Sequence, residues 1–142
     1  MDSGATGATQ PFHTDEALVS STGLVTFLAL AQGTFYVLTG IWALVSIRTF
    51  QMVTGPKTDV WLVKTVGVLV TVIGSVLILA RQRKTIGPEI AVLATGSAIG
   101  LAGIDIVYVA RGRISMIYGA DALVELLLAA GWLLGWPRSP RR

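Results

Sequence analysis

Between Ile104 and Glu125 the chain reads IDIVYVARGRISMIYGADALVE, and this stretch holds the residues with the most chemistry to offer. Three carboxylates (Asp105, Asp121, Glu125), two arginines (Arg111, Arg113) and two tyrosines (Tyr108, Tyr118) lie within sequence otherwise apolar enough for a bilayer. Tyr118, Asp121 and Glu125 are spaced by three and four residues, so on a helix they share one face. A charge at the centre of a membrane helix costs about 2.5–3.5 kcal/mol even on the lenient insertion scale, so that face is expected to look away from lipid. Carboxyl groups so placed can hold an amphipathic molecule, couple its movement to protons, or shuttle a proton between two atoms of a substrate.

Other chemistry is narrowed by what the chain lacks. It has no cysteine, which removes disulfides, thiolate metal sites, iron–sulfur clusters and cysteine nucleophiles. Its single histidine, His13, lies in the polar N-terminal stretch, away from the apolar blocks. No metal and no cofactor is therefore expected. An enzyme is the least favoured class, because no nucleophile stands beside a base within the apolar sequence.

The elements that position these groups follow from composition. Of 142 residues, 53% are hydrophobic and only 13% charged, too much apolar surface for a soluble domain of this size to hide. The expectation is an all-α, polytopic membrane protein, a four-helix transmembrane bundle with spans at about 23–47, 60–80, 89–110 and 116–136. Residues 1–22 are expected to form a flexible polar tail, with Ser20–Ser21–Thr22 as a helix start signal, and 137–142 a short basic tail. Phe50, Met52 and Val53 suggest a short amphipathic piece after the first span. Thr58–Asp59 reads as the cap of the second span, and Ser115 as the cap of the fourth. Trp61 at one end, and Trp132 and Trp136 at another, suit the headgroup belts.

Small residues mark the faces expected to pack: Gly33 and Gly40 on the first span, Gly67 and Gly74 on the second, and Gly96, Gly100 and Gly103 on the third. QGTFYVLTGI (32–41) aligns on TGSAIGLAGI (95–104), pairing Gly33 with Gly96 and Gly40 with Gly103. A parallel repeat of two hairpins would make Lys64 and Glu125 pseudo-equivalent, able to face each other.

Depth gathers the polar groups. At about 1.5 Å rise per residue, Asp105 lies roughly 8 Å, Asp121 roughly 7 Å and Lys64 roughly 9 Å from the middle of their spans, all toward the first and third loops. Glu125 falls near mid-bilayer. The layer so formed, Lys64, Asp105, Tyr108, Tyr118, Asp121 and Glu125, is the candidate ligand-binding or coupling site, with Arg111, Arg113, Tyr36 and Asp59 in support. The negative surplus predicts that one carboxyl group keeps its proton, and Glu125 is the candidate. A static network, with Lys64 paired to Asp105 or Asp121, would fix helix register with no chemistry at all.

The net charge of +3 is carried at span ends, which suits anionic lipid better than nucleic acid, and no nucleic-acid partner is expected. Six Lys or Arg lie on the side of the termini and the middle loop (Arg81, Arg83, Lys84, Arg138, Arg141, Arg142). The other side has four in its loops (Arg48, Lys57, Arg111, Arg113), or five with Lys64, so both termini are expected in the cytoplasm.

TGPKTDVWLVKTVG (54–67), with IDIVYVARGRIS and DALVE, resembles a group of small bacterial four-span membrane proteins. That resemblance implies a fold but no activity. The four-helix layout, with a glycine-bearing first span, is also similar to the DoxX-like families. The favoured function is binding a small amphipathic ligand or lipid in the polar layer, or acting as an accessory subunit. The alternative is an oligomeric proton- or cation-coupled carrier using the carboxylates. Expected partners are membrane lipid, a small amphipathic ligand, and a homo-oligomer or larger membrane complex.

Overall fold

Five helices follow one another: α1 (His13–Val45), α2 (Ile47–Thr54), α3 (Val60–Gln82), α4 (Pro88–Ala110) and α5 (Ile117–Gly135). The computed structural model describes residues 13–56 and 58–136, with side chains from Gly23 onward. The outer part of the N-terminal tail, 1–12, and the whole basic tail, 137–142, lie outside the described residues. Four helices contain stretches long and apolar enough to cross a membrane: Gly23–Val45, Val60–Gln82, Pro88–Ala110 and Ile117–Gly135. At about 1.5 Å per residue they measure roughly 28–34 Å, against a hydrocarbon core of roughly 30 Å. The chain is a small, multi-pass integral membrane protein, all-α and packed as a bundle.

Helix ends follow local chemistry. Pro88 opens α4, where a missing N–H costs nothing, and Gly87 precedes it. Asp59 stands at the cap position of α3, as expected, but its backbone carbonyl rather than its side chain accepts from Leu62 and Val63. The Ser115 hydroxyl receives the Ile117 N–H at 3.4 Å, a weak version of the expected cap. After α4 the chain turns through Gly112, whose φ of +63° is the left-handed conformation that only glycine adopts freely. Its N–H bonds to Val109 O and that of Arg113 to Tyr108 O, closing a Schellman turn.

The first helix departs from expectation at both ends. It starts at His13, running through the Ser20–Ser21–Thr22 signal, and stops at Val45. Ser46 breaks it, and α2 turns away as the short amphipathic segment that Phe50, Met52 and Val53 suggested. Met52 is exposed on α2, Thr54 is buried, and Phe50 meets Trp42 edge-on with ring centroids 5.5 Å apart.

Two hairpin-like pairs make the bundle: α1 packs along α3, and α4 along α5. α1 also lies against α5, and α3 touches α4 more lightly. Backbone contact decides the first pair. A Cβ at Gly33 would stand 2.9 Å from Gly74 O, and one at Gly74 would stand 2.6 Å from Gly33 O. Gly40 faces Gly67 and Thr71 in the same way. These small residues let two helices approach closely where lipid supplies no hydrophobic drive.

On α4 the expectation about glycines is corrected. Ala94, Ala98, Ala102 and Asp105 form the buried face, while Gly96, Gly100 and Gly103 are exposed with nothing near their Cβ positions. Both faces of α4 are small and apolar, and alanine fills the distance to α5 and α1 where glycine would leave a gap. The 32–41/95–104 repeat therefore does not extend to packing. Its first copy is clamped on α3 and its second is open.

Candidate functional site

Two buried polar rungs cross from α1 to α5, and they set the floor of the site. In the lower one Trp132 Nε1 donates to Gln32 Oε1 at 2.7 Å, and Gln32 Nε2 donates to the Ala94 carbonyl of α4 at 2.9 Å. One turn along α1, Tyr36 Oη donates to Glu125 Oε2 at 2.8 Å. Gln32 and Tyr36 are four apart on α1, Glu125 and Trp132 seven apart on α5, so antiparallel helices bring both pairs into register. Glu125 is one residue from the midpoint of α5 and 1% exposed, so its hydrogen bond is made deep in the span.

Above this floor, toward the first and third loops, lies a cavity of about 530 Å³ between the α1–α3 and α4–α5 pairs. Its walls are apolar and aromatic: Phe35, Thr39 and Trp42 of α1, Val63, Val66 and Val70 of α3, Leu101 of α4, and Val124 of α5. Phe50, Val53 and Thr54 of α2 close its end. Into it project Tyr36, Asp105, Tyr118, Asp121 and Glu125. Asp105 and Asp121 lie within hydrogen-bonding reach of each other. Tyr118 is within reach of the Thr54 hydroxyl, which itself donates to Phe50 O at 2.9 Å; α5 is thereby tied to α2.

Helical spacing on α5 brought Tyr118, Asp121 and Glu125 to one face, and α4 adds Asp105 from the opposite wall. Tyr36, expected only as support, is the direct partner of Glu125. The other expected members are not brought in. Lys64 is exposed on α3 and does not line the cavity, so it pairs with neither Asp105 nor Asp121 and does not face Glu125. It extends from the first turns of α3, within reach of the interface, where an ammonium group keeps its water. Tyr108 falls three residues beyond Asp105, outside the cavity and exposed. Arg111, Arg113 and Asp59 are exposed at helix ends and do not line it.

Sequence reasoning under-read two residues. Trp132, expected as an interface anchor, is 1% exposed, and Gln32, given no site role by the sequence reading, is fully buried. The available signal was an amide in the middle of a 23-residue apolar span, which must find a partner inside the protein.

The arrangement can hold a molecule whose apolar body sits against aromatic and aliphatic walls while a polar end meets carboxyl and phenol groups. Among the described residues no group of three His, Cys, Asp or Glu side chains is placed to hold a metal ion. Compared with protein-family models, curated proteins and solved structures, the chain matches none, so neither the resemblance carried by its motifs nor that of its four-helix layout becomes a family assignment. What fold and site together establish is a small four-span integral membrane protein with a polar-floored intramembrane cavity.

Proposed function

We propose that this protein binds a small amphipathic molecule within the membrane, in the cavity between its two helix pairs. The observation that carries the proposal is the cavity itself. Its volume of about 530 Å³ falls inside the roughly 300–1,000 Å³ of small-molecule sites, and its apolar walls converge on a few polar groups. A static network would close over these groups, as the Gln32–Trp132 rung does, and leave no space beside them. Native mass spectrometry from lipid nanodiscs tests the proposal. A discrete bound mass is expected on the wild-type protein and is lost in Ala120→Trp, which fills the cavity from an exposed lining position. A bare wild-type protein of fixed stoichiometry would sink it in favour of an accessory or scaffold role.

The gathering of Asp105, Asp121 and Glu125 in one intramembrane cavity favours a second reading, a proton- or cation-coupled carrier acting as an oligomer. Four spans are few for a complete transport path, so at least two copies would be needed. In that case substrate-driven proton flux in vesicles is abolished by Glu125→Gln, and unchanged flux removes the carrier.

A further inference from the structure

From the charge and aromatic character of the cavity wall, we infer that its occupant is an amphipathic organic cation, an ammonium or guanidinium group on an apolar body. This inference rests on the cavity reading above. All three acid or base side chains in the lining, apart from phenols, are carboxylic acids: Asp105, Asp121 and Glu125. Among the described residues no Lys, Arg or His lines it, and Lys64, Arg111 and Arg113 are exposed elsewhere. An anionic headgroup would meet carboxyl groups with no counter-charge in a low-dielectric site, where like charges repel most strongly. An uncharged occupant would supply no counter-charge to the carboxyl groups, whose burial is offset only by hydrogen bonds within the protein.

Two further features point to an organic cation. Among the described residues no three carboxyl groups are placed to hold a metal ion, which favours a more diffuse charge carried on a larger body. Aromatic rings from α1, α2 and α5 (Phe35, Tyr36, Trp42, Phe50 and Tyr118) surround the same space, and ring faces attract ammonium and guanidinium groups. Such a molecule partitions into the headgroup region, at the depth where α2 closes the cavity. Its apolar body then lies along α3 while its charged end reaches Asp121 and Asp105.

Three probes of matched shape test this on the wild-type protein in nanodiscs, by equilibrium dialysis with empty nanodiscs subtracted. They are benzyltrimethylammonium, its uncharged carbon isostere neopentylbenzene, and the anion phenylmethanesulfonate. The cation is expected to bind about tenfold or more tighter than the isostere, and the anion not at all. Asp121→Asn, which keeps the side-chain shape, should erase the difference between cation and isostere while leaving the isostere unchanged. Equal or tighter binding of the isostere or the anion to wild type overturns the cation while leaving the cavity reading standing. Binding of none of the three above empty nanodiscs overturns the cavity reading and the cation with it.

Discussion

Tyr36 on α1 and Glu125 on α5, 89 positions apart in sequence, are joined by a 2.8 Å hydrogen bond near the middle of the bundle. Tyr36 is the donor, so removing its hydroxyl leaves a buried carboxyl oxygen unsatisfied. Tyr36→Phe should destabilise the protein by about 1–2 kcal/mol, the upper part of the range for hydrogen bonds between membrane helices. Glu125→Gln keeps an acceptor for the same hydroxyl and should be nearly neutral. Reversible unfolding in mixed detergent micelles checks both, and equal losses in the two variants would contradict this assignment of donor and acceptor.

Trp132, Gln32 and the Ala94 carbonyl form the second rung, and each side chain satisfies the other. Gln32→Met and Trp132→Phe should therefore be non-additive. A double-mutant cycle is expected to give a coupling of about 0.6–1.7 kcal/mol. Additive losses would mean that the two side chains stabilise the bundle independently.

Glycines on α1 and α3 should respond differently from those on α4. Gly33→Ala and Gly74→Ala place a methyl group under 3.0 Å from facing backbone oxygen and should cost about 1–3 kcal/mol. Gly100→Ala meets open space and should stabilise α4 by up to about 1 kcal/mol through helix propensity. Thermal denaturation of the purified protein measures all three. A loss of stability in Gly100→Ala together with a change of oligomeric mass would show that a second copy packs on that face.

Lys64→Gln is expected to leave ligand binding and stability unchanged to within about 0.5 kcal/mol, because Lys64 is exposed and off the cavity. Dialysis of the three cavity probes against this variant is the check. Tightened binding of the cation, from relief of like-charge repulsion, would bring Lys64 back into the site.

The chain contains no cysteine, so single cysteines report topology without a background. The positive charge on the α3–α4 turn predicts a cytoplasmic position for it and for both termini. Thr85→Cys should then be labelled by an impermeant thiol reagent only after the inner face is opened, and Arg113→Cys from outside on intact cells. The reverse pattern would invert the orientation.

Much of this architecture is legible in the sequence because lipid imposes strong constraints. Apolar length alone located four spans, and the expected 60–80, 89–110 and 116–136 lie within two residues of α3, α4 and α5 at each end. Helical spacing put Tyr118, Asp121 and Glu125 on one face, and depth arithmetic put Asp105 in their layer, since in a membrane helix position along the chain is position across the bilayer. Which way each helix is turned about its own axis was a matter for tertiary structure alone. α4 offers an alanine face and a glycine face of nearly equal hydrophobicity, and only contact with α5 and α1 selects between them. The same rotation sends Lys64 and Tyr108 outward and draws Trp132 inward to Gln32. In lipid, apolarity does not distinguish inside from outside, so close packing and the pairing of buried polar groups decide it.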